Sequence, residues 1–514
     1  MKAQFISHPW LNENAIEKRT YQENLVTTAL KGNTLCVLPT GLGKTNIAAM
    51  VTAERLSQDG EKKILFMAPT RPLVNQHMKT FQRFFKTGLT FNAITGETKP
   101  GDRMELYKDS DIVFSTPQCV ANDLKSGIFN LAEFSLCIFD EAHRCVGNYA
   151  YTYVAKRYIF QAKKPLILAL TASPGSHRQR VDEMKQKLYI DYVEVRDRED
   201  EDVKPFVQPL KEEWIEVELP TSMKTIKGYL EAVKNERIKK LMEWRIINTN
   251  SISKKQILEL QQKLAKKGTG VGYAAMSMLA EVLKLDHALI LLETQSIYSL
   301  QRYLEKLKVE TTRAVARLQK EENFQNAVRL AGELYKEGVE HPKIEKLRQI
   351  VGGELQKNKF AKIIIFAQYR DTITRITEAL EDVPLAAPVE FIGQAKKKGK
   401  GLSQKEQLQI INEFSMGFYN ALIATQIGEE GLDIAETNLV IFYEPVPSAI
   451  RMVQRIGRTA RTQPGRAVMM ITKKTRDEAY HWSAKNKEKK MRTLLYAAQK
   501  QTQKSIGEFK PSQK

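Results

Sequence analysis

The chain has 514 residues, 42% of them hydrophobic, and a mean hydropathy of -0.40; it is too long for a single core, and no apolar run reaches the roughly 18–20 residues of a bilayer span. Its 80 Lys and Arg outnumber 60 Asp and Glu, a net charge of +20 that favours a polyanionic partner. Met1 to Trp10 carries no basic, apolar leader and Cys36, Cys119, Cys137 and Cys145 show no CxxC spacing, so a cytoplasmic protein, nucleoid-associated in a prokaryote, with reduced cysteines is expected.

From Asn33 to about Val195, short apolar runs alternate with polar helical stretches: Thr34 to Leu38, Lys63 to Ala68, Asp111 to Ser115, Leu136 to Phe139 and Leu166 to Leu170. Continuous apolar runs of this length are strands of a parallel sheet covered on both faces. The acidic stretch Arg196 to Lys204 reads as a linker. From Thr221 to His341 there is no proline, and Met276, Leu279, Leu283, His287 and Ile290 recur at helical spacing. This predicts an all-helical insert in which His287 is a hydrogen-bonded core residue. Thr221 to Glu340 holds 21 Lys and Arg against 14 Asp and Glu, so the insert carries part of the basic excess. A second strand set follows: Lys362 to Phe366, Val389 to Ile392, Ala421 to Ala424, Leu439 to Phe442 and Ala467 to Ile471. The expected class is α/β, two parallel-sheet domains (1–205 and 346–484) separated by a helical domain (206–345), with a flexible basic tail over 485–514.

Leu38-Pro39-Thr40-Gly41-Leu42-Gly43-Lys44-Thr45 follows a predicted strand and opens a predicted helix. A glycine turn there brings backbone N–H groups and a helix N-terminus against phosphate; Lys44 reaches the β- and γ-phosphates of ATP, and Thr45 offers a hydroxyl to Mg²⁺. Leu38 stands where the usual pattern has Gly or Ala, but the GxGKT core is intact. About 95 residues on, the strand Leu136 to Phe139 runs into Asp140-Glu141-Ala142-His143. Asp140 would hold Mg²⁺, directly or through water, and Glu141 would orient and deprotonate the attacking water. Gln454-Arg455-Ile456-Gly457-Arg458-Thr459-Ala460-Arg461, in the second α/β block, puts Arg458 and Arg461 on one helix face. An arginine finger supplied from a second domain makes hydrolysis depend on closure.

The ordered set Arg19-Thr20-Tyr21-Gln22, GLGKT, Ala68-Pro69-Thr70-Arg71-Pro72-Leu73, Thr116-Pro117-Gln118, DEAH, Thr171-Ala172-Ser173, Ala424 to Asp433 and QRIGRTAR resembles superfamily 2 helicases, which hydrolyse ATP between two RecA-like domains. The resemblance implies that Gln22 reads adenine and that Gly431 and Asp433 approach the ribose. It also brings Gln454 to the γ-phosphate and makes Thr171 and Ser173 couple nucleotide to strand path. Arg71, Thr116, Gln118 and Thr425 would touch the nucleic-acid backbone. Asp140 to Tyr151 (DEAHRCVGNYAY), Phe391 to Ala395 with Gly401 to Gln404, and Tyr443 to Arg451 are similar to the archaeal Hef helicase and its relative FANCM. That narrower resemblance spans nearly the whole chain and implies a thumb-like helical insert and a 3′ to 5′ DNA helicase or translocase acting on forks and four-way junctions in repair. Hef also carries a nuclease with an ERKxxxD core; no such segment occurs in this sequence, so cleavage is not expected.

Two other readings stay open. An RNA helicase or double-stranded RNA-dependent ATPase shares the same motor core, though no RRM or KH motif is present. A nucleotide-gated junction scaffold is the second, and intact Glu141, Arg458 and Arg461 argue against it. Near the C-terminus, Gln503, Ile506 and Phe509 fit the Qxx(aliphatic)xxF pattern of peptides that bind the sliding clamp PCNA. Lys510 replaces the usual second aromatic, so weak binding is expected.

Overall fold

The structure is a computed structural model that describes residues 4–58, 63–175, 178–267, 270–393, 401–425, 436–445, 459 and 464–507. Among these, the strands β1 (Thr34–Val37), β2 (Lys63–Met67), β3 (Phe91–Ile94), β4 (Ile112–Ser115), β5 (Phe134–Phe139), β6 (Ile167–Thr171) and β7 (Tyr192–Val195) form a parallel sheet in the order β3-β4-β2-β5-β6-β1-β7. A second parallel sheet comprises β8 (Leu210–Val217), β9 (Ile363–Phe366), β10 (Pro388–Phe391), β11 (Ala421–Ala424), β12 (Leu439–Phe442) and β13 (Gly465–Thr472), ordered β10-β11-β9-β12-β13-β8. Alternate residues of one strand enter different cores: Leu35 and Val37 join the cluster on one face, Cys36 and Leu38 that on the other. Helices cover both faces, which is why the central strands are apolar throughout. All four cysteines are buried and unpaired, and no helix among the described residues is long and apolar enough to cross a membrane.

The helical insert has two cores. The proximal one joins the first half of the helix Thr221–Glu243 to the end of Gly270–Ile290 and to the helices Ile297–Lys308 and Glu322–Lys336. The distal one lies between the end of Thr221–Glu243, the start of Gly270–Ile290 and the helix Lys254–Lys267. A wide π turn, Leu291–Gln295, is wholly buried and reaches domain 2: Gln295 Nε2 donates to Glu444 Oε2 at 2.7 Å, and Thr372 Oγ1 donates to Gln295 Oε1 at 2.8 Å. Single π turns of this kind are rare and often mark functional sites.

Several features differ from the sequence reading. Residues 210–217, expected in the insert, are the edge strand β8 of the second sheet, paired with β13 from Leu210 opposite Gly465 to Val217 opposite Thr472; one strand face is half exposed, so its run LKEEWIEV lacks the apolar signature of a central strand. The stripe Met276, Leu283, His287 and Ile290 is only partly buried. The core face is Ala275, Met278, Leu279, Val282, Leu285 and Leu289, shifted by about one residue around the helix. His287 is no hydrogen-bonded core residue but a half-buried ring against Tyr303, 4.6 Å between centroids, and Tyr369 of domain 2; burial lowers its pKa.

The largest correction concerns the C-terminal segment. Instead of a flexible tail from 485, one helix runs Arg476–Gly507, and Met491 and Leu495 enter a core of domain 1. The Lys and Gln that suggested a tail alternate with Met491, Leu495 and Ala498 at helical spacing. Gln503 and Ile506 lie on the backbone of this helix, whereas Phe509 is outside the described residues.

Candidate nucleotide and nucleic-acid site

The P-loop, DEAH, Thr-Ala-Ser, Arg71 and Thr116 motifs of domain 1 each sit at the carboxyl end of a parallel strand, the edge at which α/β sheets present ligand sites, while Arg19 to Gln22 opens the helix Thr20–Ala29 ahead of β1. The P-loop follows β1, the DEAH box follows β5, and Thr171-Ala172-Ser173 closes β6 between them. The Arg71 and Thr116 motifs follow β2 and β4 on the other side of β5, so the two sets of motifs occupy adjacent stretches of one edge.

The P-loop turn depends on Gly41 and Gly43, at φ 87° and 77°, a region that disfavours any Cβ. A Cβ on Gly43 would also lie 2.3 Å from Gln22 Nε2. Gln22 is fully buried; its Nε2 donates to Leu42 O at 3.0 Å, beside Tyr21 OH, which donates to the same carbonyl at 2.9 Å. Gln22 Oε1 has no hydrogen-bond partner, nor does Thr40 Oγ1. Buried polar atoms left without partners are costly, and at a P-loop they suit a purine amino group and phosphate oxygens. Lys44 Nζ folds back onto Leu38 O at 3.1 Å, and Thr45 begins the following helix beside it.

Asp140 is buried and accepts from His77 Nε2 at 2.9 Å. Burial alone would raise its pKa, but the His77 bond and the charges of His77 and Lys44 hold it below the usual carboxylate range. Tyr151 OH donates to Asp140 O at 2.6 Å, fixing the strand end. Glu141 then takes a left-handed backbone, φ 49° and ψ 48°, uncommon for a residue with a side chain. The turn brings Glu141 Oε2 to 3.2 Å from His143 Nδ1, which in turn lies 3.2 Å from Thr171 Oγ1. Ser173 N donates to that same hydroxyl oxygen at 3.2 Å. His143 thus ties the DEAH box to the Thr-Ala-Ser segment through Thr171, while Glu141 Oε2 approaches the ring without a hydrogen bond.

His77 escaped the sequence reading. It shares an apolar helix face with Val74 and Phe81 at i, i+3, i+7 spacing and packs on Phe66 at 4.5 Å; a histidine on such a face, six residues after Arg71, was the available signal.

Arg71 is the first residue of the helix Arg71–Phe84, half exposed and paired with Glu97. Thr116 caps the helix Pro117–Lys125, with Gln118 exposed in its first turn. Both are helix N-termini, where backbone N–H groups favour phosphate. Thr425 follows β11 in the second sheet, its N–H on Phe391 O at 3.2 Å. Gly431, Asp433, Gln454, Arg458 and Arg461 lie outside the described residues.

A P-loop and a DEAH box on one parallel sheet, joined to a second parallel sheet, define an ATP-hydrolysing helicase core. The DEAD/DEAH box helicase profile matches residues 19–181, the helicase conserved C-terminal domain 342–463, and a helical-bundle profile of ATP-dependent RNA helicases 222–336. The crystal structure of the Pyrococcus furiosus Hef helicase domain is 41% identical, with a TM-score of 0.73 over 91% of this chain and 98% of that one. A Methanocaldococcus jannaschii protein described as an ATP-dependent RNA helicase is 42% identical over 96% of this chain and 62% of its own length. An ATP-dependent DNA helicase of Schizosaccharomyces pombe is 33% identical over 90% and 58%, and the Fanconi anemia group M protein homolog of Mus musculus 32% over 93% and 26%. This chain therefore spans between about a quarter and three fifths of the length of these last three relatives. It belongs to the superfamily 2 helicases of the Hef and FANCM type.

Proposed function

We propose that this protein is an ATP-dependent DNA helicase or translocase that moves 3′ to 5′ and acts on forks and four-way junctions. The observation that carries the reading is the pair Asp140–His77 beside the group Glu141, His143, Thr171 and Ser173 at the carboxyl edge of a sheet, in a chain 41% identical to a Hef helicase domain over 91% of this chain and 98% of that domain.

In this reading Gln22 Oε1 accepts the adenine amino group, and Lys44 leaves Leu38 O for the β- and γ-phosphates. Thr45 and Asp140 hold Mg²⁺, which neutralises phosphate charge when bound. Glu141 takes the proton of the attacking water. Gly431 and Asp433 meet the ribose, while Gln454, Arg458 and Arg461 close on the γ-phosphate from domain 2. Arg71, Thr116, Gln118 and Thr425 line the strand path. The exposed lysines Lys254, Lys255, Lys263 and Lys266 of the distal insert helix offer the charge that engages a second duplex arm.

The description of the M. jannaschii relative and the helical-bundle profile favour an RNA substrate as the second reading. ATPase stimulation by forked DNA against duplex RNA separates the two; stimulation by RNA alone would overturn the DNA assignment. Glu141→Gln should lower turnover by about 10²–10⁴-fold while nucleotide still binds, and Arg461→Ala by about 10³–10⁵-fold. A rate within about tenfold of the parent in either variant would refute its role.

A further inference from the structure

The helix Arg476–Gly507 is about 48 Å long at 1.5 Å per residue, and it touches every part of the molecule. At its root, Arg476 Nη2 donates to Asp286 Oδ1 of the insert at 2.7 Å. One turn on, His481 stacks edge-to-face on Trp214 of β8 in domain 2, 3.8 Å between centroids. Its second half lies on domain 1: Arg492 Nε is 2.9 Å from Asp197 Oδ2, Tyr496 OH donates to Asp200 Oδ1 at 2.8 Å, and Gln499 Nε2 donates to Glu194 Oε2 at 3.1 Å.

Between these anchors, Ser173 Oγ donates to Met491 Sδ at 2.8 Å. Ser173 is fully buried, and its backbone N–H, rather than its hydroxyl, donates to Thr171 Oγ1, which lies 3.2 Å from His143 Nδ1, the ring atom that approaches Glu141 Oε2 to 3.2 Å. Beside it a cavity of about 610 Å³ is lined by Pro39 and Thr40 of the P-loop, Ala172, Leu210, Glu488 and Met491. The helix therefore meets the hydrolytic edge at Met491 with open space next to it, room in which that edge can shift.

We propose that Met491 is a positioning residue for ATP hydrolysis. Seated on a helix rooted in domain 2 and the insert, it holds Ser173 by its hydroxyl, and through the Ser173 backbone, Thr171 and the His143 ring it sets the surroundings of the Glu141 carboxylate, according to where those two domains lie. Nucleic acid that moves them thereby adjusts the water-activating edge of domain 1 from behind the sheet. This rests on the helicase reading only for the identity of the nucleic acid.

The test is steady-state ATP turnover of the full chain with and without a forked DNA duplex, together with thermal midpoints. Met491→Ala should reduce the stimulation factor about two- to threefold, the lower end of a hydrogen bond's worth because a thioether is a weak acceptor, and Met491→Leu should restore the midpoint but not the stimulation. Leu495→Ala, which removes packing from the same helix without touching Ser173, should lower the midpoint and keep the stimulation. The double variant Ser173→Ala with Met491→Ala should be no worse than Ser173→Ala alone. Equal losses of stimulation in Met491→Ala and Leu495→Ala, additive losses in the double variant, or rescue by leucine would each overturn the proposal. If duplex RNA stimulates the parent and forked DNA does not, the substrate reading fails and the same ratios are read with RNA.

Discussion

Lys343 and Asp477 form an ion pair whose side chains are both fully buried. Lys343 Nζ also donates to Tyr443 O at 2.8 Å, Asp477 Oδ2 accepts from Thr472 N at 3.1 Å, and Asp477 Oδ1 has no hydrogen-bond partner. Lys343→Met removes the lysine charge and leaves the carboxylate buried without its counter-ion, at a cost of about 3–5 kcal/mol. That corresponds to a fall of roughly 6–20 °C in the midpoint of the transition that unfolds domain 2. Burial already pushes Asp477 above the usual carboxylate range, and Lys343 is the main influence holding it down. In the variant its folded pKa rises further above the unfolded value. The cost is then absent below the unfolded pKa and grows as pH climbs toward the folded one, so the deficit should be smaller at pH 5 than at pH 8. Replacing both residues, Lys343→Met with Asp477→Leu, should recover part of the loss, because two apolar side chains need no charge compensation, while the larger leucine and the Thr472 N–H that loses its acceptor keep the recovery incomplete. Scanning calorimetry of the three proteins at both pH values makes the comparison. A single variant within about 1 kcal/mol of the parent, or a double variant no better than the single, would refute the reasoning.

Burial raises Glu444 to about 7. A carboxyl held above its unfolded value costs nothing at low pH, destabilises increasingly from about 4.5 to 7 and then stays constant, so Glu444→Gln should gain stability over the parent across that window. Parallel midpoint-against-pH curves would exclude it. DNA affinity should fall steeply with salt and show little base preference, since the nominated contacts are to phosphate and sugar; a flat salt titration by fluorescence anisotropy would remove those contacts. The peptide 495–514 should bind PCNA at about micromolar affinity, near 8 kcal/mol, and lose binding when Ile506→Ala and Phe509→Ala are combined. The intact chain should bind more weakly, because Thr502 Oγ1 accepts from Val193 N and ties the helix end to β7; a stronger intact chain would contradict that restraint.

Sequence alone determined what is local. Strands buried on both faces are apolar from end to end, so β1, β2, β4, β5, β6 and the central strands of the second sheet were legible to within a residue or two. Phosphate chemistry needs fixed residue types at fixed offsets, so the P-loop and DEAH box were legible too. Three of the four edge strands were harder to read, β10 alone having been legible as Val389 to Ile392: β3, β7 and β8 each have a more exposed position, and β8 pairs with β13 across a sequence separation of more than 250 residues that no local pattern encodes. Tertiary structure decided which polar groups meet. His77 reaches Asp140 across 63 residues and Met491 reaches Ser173 across 318, and both look in sequence like ordinary members of helix faces. The helix Arg476–Gly507 shows the reason most plainly. A lysine- and glutamine-rich helix earns its order from the apolar stripe it buries against a distant domain, and whether such a stripe finds a partner is a property of the folded chain.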